Sequence, residues 1–543
     1  MKARWIILAA ALAALSACGG GGGGGGGGGS TTPPPSLPSF DVSAVAAADP
    51  GTTLPANWQY GGFLEIYVRG YQDSNGDGVG DLAGLTSRLD YIRDLGVSGI
   101  WLMPITQSQD HDHGYAVSDY RAVETQYGTL ADLDTFVTQA HARGLGVILD
   151  YVMNHSASAH PAFVNSSNAT TNAYRDWYVW SATHPSGWSV YGGDPWRAST
   201  TGYYYAPFSS SMPDFNLRNA PTVNWHKDNL RFWLNRGVDG FRFDAVGNLF
   251  ENGPNAWEAQ PENYTLMGDV RALVGGYANR YMVCEAPADP FGFAANSACG
   301  SAFAFGHHTD IINAAKGQST TVAALATYFA TAPAAMATMA ANHDSFAGAR
   351  LWDQFGGDVA RYKLAAATYL LQPGVPFIYY GEELGMSGGA GLSGDAALRT
   401  PMSWTANTTN AGFSTTTPFR ALSGNVATNN VAGEQGDANS LLSFYRAMLA
   451  LRRAHPSLAR GTMDGAAASG TLLSYRRTFG GEQTLVVINY GASSITANLT
   501  GLTATATYAA QWPSGGSDVT ASGGGAATVL APAESVMVFL RTP

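Results

Sequence analysis

The sequence predicts an α/β fold: a (β/α)8 barrel with a subdomain inserted after its third strand, followed by a C-terminal antiparallel β-sandwich domain. Three observations predict it. From Gly62 onward, short apolar runs ending in polar residues alternate with stretches of helical period, as strand–helix units of a parallel sheet do. One long segment rich in Gly, Ser, Trp and Tyr interrupts the alternation, and the last part of the chain reads with the period of two expected of half-buried strands.

The eight apolar runs lie at 63–68, 99–104, 147–152, 240–245, 281–285, 302–305, 335–341 and 376–380. Between them fall helical stretches such as 130–143 and 359–371, the latter with Val359, Tyr362, Ala366 and Leu370 on one stripe. Eight units favour a closed barrel over an open sheet. The interruption at 156–220 has no clear helical period and reads as the inserted subdomain, divided from barrel segments 56–155 and 221–458. In a barrel the strand C-termini carry the chemistry, so an insertion there walls one side of the cleft. After a helix near 440–453, runs at 472–475, 484–489, 505–510 and 536–540 mark the terminal domain, 459–543.

At 543 residues and 45% hydrophobic content the chain is long enough for a large core and smaller ones. A net charge of −11 and no basic stripe exclude nucleic acid as a partner. The 13 Trp and 26 Tyr suit sugar faces, although most belong to the core. Lys2 and Arg4 precede an apolar run from Trp5 to Leu15 that is too short to span a bilayer, so 1–17 reads as a signal peptide. Leu15-Ser16-Ala17-Cys18 resembles a bacterial lipobox, and the glycines from Gly19 to Gly29 with the Ser/Thr/Pro stretch behind them extend a tether across 18–55. The expectation is an exported monomer, lipid-anchored to the outer membrane or cell surface. Cys284 and Cys299 are the two other cysteines; one bridge between them is open, but Cys284 sits inside an apparent buried strand, which weighs against it. Neither their number nor their spacing suits zinc.

Acidic residues end four of the apolar runs: Asp150, Asp244, Glu285 and Asp344. A charge there is costly unless paired or used. Glycoside hydrolysis with retention uses two carboxylates roughly 5 to 5.5 Å apart, one ionised to attack and one protonated to give a proton. Asp244 and Glu285 end adjacent strands. Arg242, two residues before Asp244, shares its strand face and is expected to depress the Asp244 pKa, while the apolar neighbours of Glu285 raise its own.

Asp150-Tyr-Val-Met-Asn154-His155, Gly240-Phe-Arg242-Phe-Asp244, the Glu285 segment and Asn342-His343-Asp344 resemble, in order and spacing, the four sequence regions of the α-amylase family of glycoside hydrolases. Met212-Pro-Asp214-Phe-Asn216-Leu, the run from Gly374 to Glu383, and His113-Gly-Tyr115 extend the resemblance from about Trp58 to the C-terminus. It implies that Asp244 is the nucleophile, Glu285 the acid/base and Asp344 the carboxylate gripping sugar hydroxyls. Arg242, His155 and His343 would line the attacked ring's subsite, Tyr115 would stack on that ring, and Asp119 and Asp150 would support.

The loop Asp73-Ser-Asn75-Gly-Asp77-Gly-Val79-Gly-Asp81 sets oxygen donors at alternate positions among glycines, as calcium requires. Gly84 stands where an EF-hand needs Glu, and the loop is similar instead to the calcium loop of oligo-1,6-glucosidases. One structural calcium held by Asp73, Asn75, Asp77, Val79 and Asp81 is the expectation.

The sequence departs from the family in two places. Gly247-Asn248 stand where many members place a Lys-His pair, and Ala347 where an arginine is common, the next being Arg350. Ala245 resembles the α-1,4 type, so an α-amylase acting on starch, glycogen or maltooligosaccharides is expected ahead of an α-glucosidase, oligo-1,6-glucosidase or neopullulanase. A transglycosylase or a non-catalytic glycan-binding protein stands further behind.

Overall fold

The computed structural model describes residues 37–541, so the signal peptide, the lipobox Cys18 and the glycine run lie outside the described residues. Seven parallel strands form the barrel sheet: β1 (Phe63–Ile66), β2 (Gly99–Leu102), β3 (Gly146–Tyr151), β4 (Gly240–Phe243), β5 (Tyr281–Cys284), β6 (Ala337–Thr338) and β7 (Val375–Tyr379). They pair in the order β5-β4-β3-β2-β1-β7-β6. The sixth expected strand is reduced to two parallel bridges, Cys284 to Ala302 and Phe303 to Ala337, which close the ring. Gly300 and Gly306, with positive φ of 77° and 86°, bracket this segment.

Period-two alternation sends every second side chain inward. Phe63, Trp101, Ile148, Val283, Phe303 and Phe377 fill the barrel interior with Trp58 below them. The fit requires glycine at its narrowest point: a Cβ on Gly99 would lie 2.5 Å from the Phe63 ring, and one on Gly146 2.5 Å from Trp58. One layer higher the inward positions turn polar, with Glu65, Asp150 and Arg242 all buried. A second apolar shell lies between strands and helices. Within it, helix Leu130–His141 is closed by a Thr129/Asp132 capping box. Helix Val359–Leu371 buries Tyr362, Ala366 and Leu370, but Val359 at its first turn is exposed, which corrects the expected stripe.

The insertion is more regular than its composition indicated. It contains helix Pro161–Asn168, started by His160 and a proline at its first turn, and a three-stranded sheet of Trp180–Ser181, Gly202–Tyr205 and Trp196–Ser199. Residues 38–55 are not tether. Phe40 packs among His160, Tyr174, Trp177 and Trp225, and Asp41 pairs with Arg121 at 2.8 Å. The chain from Pro38 onward forms one compact unit. The terminal domain is a six-stranded antiparallel sheet with a two-stranded sheet, Ile495–Leu499 and Ala527–Ala531, the two sharing an apolar core that includes Leu485, Val487, Ala497 and Phe539. Cys284 and Cys299 are joined as a disulfide, against the weight given to strand burial: both are buried, and the pair pins the β5 end to the loop that follows.

Candidate active site

The β4 register sets Arg242 beside Asp150 of β3 and Val283 of β5. From there one guanidinium reaches three carboxylates: Nη1 lies 2.7 Å from Asp150 Oδ1 and 2.7 Å from Asp244 Oδ1, and Nη2 lies 2.9 Å from Glu285 Oε2. Asp244 and Glu285 follow the last residues of β4 and β5. Backbone bonds fix both, Asp244 N–H donating to Tyr151 and Glu285 N–H to Phe243. Ala245 is held left-handed at φ 45°, and its N–H donates to Glu285 Oε2 at 3.0 Å. A non-glycine residue in that region marks a site where surrounding structure overrides local preference.

The two carboxyls titrate apart, though not as expected. Burial is the largest influence on Asp244 and raises it to about 6 despite Arg242, with Asp150 adding repulsion. The expectation of a depressed value is therefore overturned: Arg242 only moderates a desolvation cost the sequence does not display. Burial carries Glu285 further, to about 7. The ionised form therefore belongs first to Asp244 and the protonated form to Glu285.

Asp344 is held opposite. Burial would raise it, but His343 at 2.9 Å and Arg399 at 2.7 Å outweigh burial and hold it well below the carboxylate range. His343 is buried too, which opposes its charge, yet Asp344 and Glu65 together carry it up to about 10. Tyr115 stacks at 15° on the His343 ring and donates to Asp150 at 3.0 Å. His155 is buried, which lowers it to about 3, and its Nε2 has no partner among the described residues, leaving a neutral imidazole with bonding capacity for a ligand. These groups surround a pocket of about 280 Å3 walled by His113, Tyr115, His155, Asp244, Glu285 and Asp344, with Phe208, Phe346, Asp395 and Arg399 at its rim.

The expected residues thus converge, with one exception. Asp119 is exposed on strand Val117–Val123 and accepts the N–H of Arg121, so it takes no part. Five residues were missed: Glu65, Phe208, Phe346, Asp395 and Arg399. Glu65 did carry a signal, an acid inside the apolar run Phe63–Ile66. Arg399, from a distant segment, is the arginine that reaches Asp344, at 2.7 Å. Arg350 instead turns away, donating to the carbonyls of Tyr380 and Leu398.

In the loop expected to hold calcium, Asp73 accepts N–H bonds from Asn75, Gly76 and Gly78, Asn75 from Asp77, and Asp77 from Val79. Asp81 caps helix Leu82–Ser87 through Gly84 N–H. The all-oxygen donor set suits a hard cation, but the loop's own amides already engage it, and among the described residues no three acidic, histidine or cysteine side chains are grouped to hold a metal.

A parallel barrel with paired carboxyls of separated pKa at neighbouring strand ends is the architecture of a glycoside hydrolase. Residues 65–461 match the family model "Alpha amylase, catalytic domain", and the chain belongs to that family. It is 34% identical over 438 residues to alpha-amylase 3 of Dictyoglomus thermophilum, covering 79% of this chain and 84% of the relative. It is 32% identical over 500 residues to a probable alpha-glucosidase of Rhizobium meliloti, covering 81% and 91%. Among solved structures it resembles the alpha-glucosyl transfer enzyme XgtA, with a TM-score of 0.77 at 28% identity over 90% of this chain and all of that one.

Proposed function

We propose that this chain is a retaining α-glucosidase that removes the terminal glucose of short α-glucosides. That reading replaces the expectation of an α-amylase acting on starch, and one observation carries it. Arg420 Nη2 donates to both carboxylate oxygens of Asp112 at 2.8 and 2.7 Å, and Nη1 donates to the Arg399 carbonyl at 3.0 Å. It therefore ties the segment bearing His113 to the segment bearing Arg399, and both residues wall the pocket. A glucan running past the bound ring would have to part those segments; a chain end need not. The pocket is on the scale of one sugar ring.

Within it Asp244 attacks the anomeric carbon as Glu285 gives its proton to the glycosidic oxygen, and the alcohol departs. Glu285, now ionised, then takes a proton from water, whose oxygen displaces Asp244 and releases glucose with its original configuration. Asp344, kept ionised, grips ring hydroxyls, and His155 and His343 add partners around the ring.

The test is the time course of products from maltose, isomaltose and soluble starch, with the Glu285→Gln variant as control. Glucose as the first product from the disaccharides supports the reading; maltooligosaccharides from starch ahead of glucose overturn it. Two further proposals accompany it. Calcium bound at Asp73–Asp81 should raise the midpoint of thermal unfolding on titration, and no shift removes the metal. Lipidation at Cys18 should appear as fatty-acid labelling that Cys18→Ala abolishes, and labelling that persists in the variant removes the anchor.

A further inference from the structure

Residues 38–43 precede the 65–461 stretch that matches the family, yet they fasten three segments around the pocket to one another. Arg121 on strand Val117–Val123 has a side chain only 7% exposed, and its guanidinium depends on this short piece of chain. Nη1 donates to Asp41 Oδ2 at 2.8 Å and to Ser43 Oγ at 3.0 Å, Nη2 to the Ser43 carbonyl at 2.9 Å, and Nε to Asn229 Oδ1 at 2.7 Å. Asp41 is its one acidic partner among the described residues. Asn229 and Trp225 belong to helix Ala220–Leu234, and Trp225 Nε1 donates to the Asp41 carbonyl at 2.9 Å. From the inserted subdomain, Asn165 Nδ2 donates to the Pro38 carbonyl at 2.7 Å. Phe40 closes the joint, its ring lying 5.1 Å from His160, 5.1 Å from Tyr174, 5.6 Å from Trp177 and 5.7 Å from Trp225.

Two of those rings lead to the substrate. Tyr120, the neighbour of Arg121, packs 5.7 Å from His160 and 5.0 Å from Trp225, and its hydroxyl donates to the His155 carbonyl at 2.6 Å. Val117, two residues after Tyr115, accepts the N–H of Ala157, two residues after His155, at 2.8 Å. Tyr115 and His155 both wall the pocket. They therefore stand on segments locked to each other and, through Phe40 and Arg121, to the helix that follows the insertion. Removing the Phe40 ring leaves a void between His160 and Trp225, the two rings against which Tyr120 is seated, and their lining contacts are lost outright. Removing the Asp41 charge leaves Arg121 with neutral acceptors alone. Asp244 and Glu285 are held instead by strand backbone and by Arg242, so neither change reaches them directly.

We propose that residues 38–43 are a clasp that sets Tyr115 and His155 against the bound sugar ring, with Phe40 as its chief positioning residue. The test compares KM and kcat for maltose in the parent, Phe40→Ala, Phe40→Tyr and Leu485→Ala, the last a core substitution in the terminal domain that lowers stability away from the clasp. Phe40→Ala should raise KM on the order of tenfold and leave kcat within about twofold, because groups that bind the ring are displaced while the reacting carboxyls are not. Phe40→Tyr should restore KM, and Leu485→Ala should leave it unaltered. An unchanged KM in Phe40→Ala, or an equal rise in Leu485→Ala, overturns the clasp. Should Phe40→Ala fail to fold, Asp41→Asn decides: a KM raised about threefold supports the clasp and an unchanged KM overturns it. Only the choice of maltose rests on the α-glucosidase reading; a parent protein that leaves maltose intact overturns that reading alone, and the same KM comparison with soluble starch then decides the clasp.

Discussion

His343 Nδ1 lies 2.5 Å from Glu65 Oε1, with both side chains buried. This contact makes the imidazole a cation wedged between Glu65 and Asp344. The folded value near 10 exceeds the ordinary 6.5, so the native state binds the extra proton across that interval. The stabilisation is complete below about 6.5 and is lost as pH rises through 10. Glu65→Gln removes one of the two carboxylates, so stability should begin to fall at a lower pH, and the broken buried pair should cost about 3 kcal/mol at pH 7. Denaturant unfolding at pH 7 to 10 checks both; identical pH dependence in the two proteins would show that Asp344 alone charges the ring.

The pH–rate profile should be a narrow bell. In the proposed mechanism Asp244 must be ionised to attack, so kcat/KM rises through about 6; Glu285 must be protonated to donate, so it falls through about 7. The two carboxyls share Arg242, and the limbs therefore belong to the pair rather than to either residue. Glu285→Gln on a substrate whose leaving group needs no proton, such as 2,4-dinitrophenyl α-D-glucoside, should keep the acidic limb and lose the basic one. A basic limb retained in that variant would assign the proton donor elsewhere.

How much of this site could be read from sequence depends on where each residue sits. Asp244 and Glu285 were legible because a charge closing an apolar strand is rare, and Arg242 because period two fixes its face. Glu65 gave the same kind of signal one strand position earlier, and only the β1 register with its neighbours shows that it points at His343. Arg399, Phe208 and Phe346 arrive from loops whose course no local pattern encodes. The barrel's periodicity marked seven of its strands; the sixth was overread because 302–305 is apolar throughout, yet only Ala302 and Phe303 bridge to their neighbours. The Asp244 pKa was misjudged for a similar reason. Sequence shows its arginine partner, not the depth of its burial.

Behind β7, Glu382 is buried, and Oε1 accepts from Tyr369 at 2.5 Å and Tyr445 at 2.8 Å, while Oε2 has no partner among the described residues. Burial raises it from 4.5 to about 7. The native state therefore binds more protons than the unfolded chain between those values, and its stability falls as pH rises across them. The accumulated cost above pH 7 is about 3 kcal/mol. Glu382→Gln, which keeps the acceptor for both tyrosines, should reduce the loss of unfolding free energy between pH 5 and 8 by roughly that amount. An unchanged slope would mean that other buried acids set the dependence.

The Cys284–Cys299 bridge closes a loop of sequence separation 15 that contains Glu285, the residue next to Cys284. Such a loop is worth about 3 kcal/mol when cross-linked. The paired substitution Cys284→Ser with Cys299→Ser should lower unfolding stability by about that much and lower kcat, since the residue preceding the acid/base loses its anchor. Unfolding curves and initial rates with maltose measure the two separately; an unaltered kcat would show that the backbone bonds of Glu285 suffice to place it.

The Arg420 tie offers the most direct control over substrate length. Arg420 joins Asp112 and the Arg399 carbonyl without touching either catalytic carboxyl, so Arg420→Ala should free the His113 and Arg399 segments from one another and leave Arg242, Asp244 and Glu285 as they are. A chain threading past the terminal ring then meets less resistance. On the α-glucosidase proposal, the kcat/KM for maltoheptaose relative to maltose should rise about fivefold, a change of about 1 kcal/mol in the barrier difference, and internal cleavage products should appear in place of glucose alone. If the ratio and the products stay as they were while maltose hydrolysis persists, the tie is not what confines the enzyme to chain ends, and the confinement must lie in the Asp344–Arg399–Asp395 network at the pocket rim.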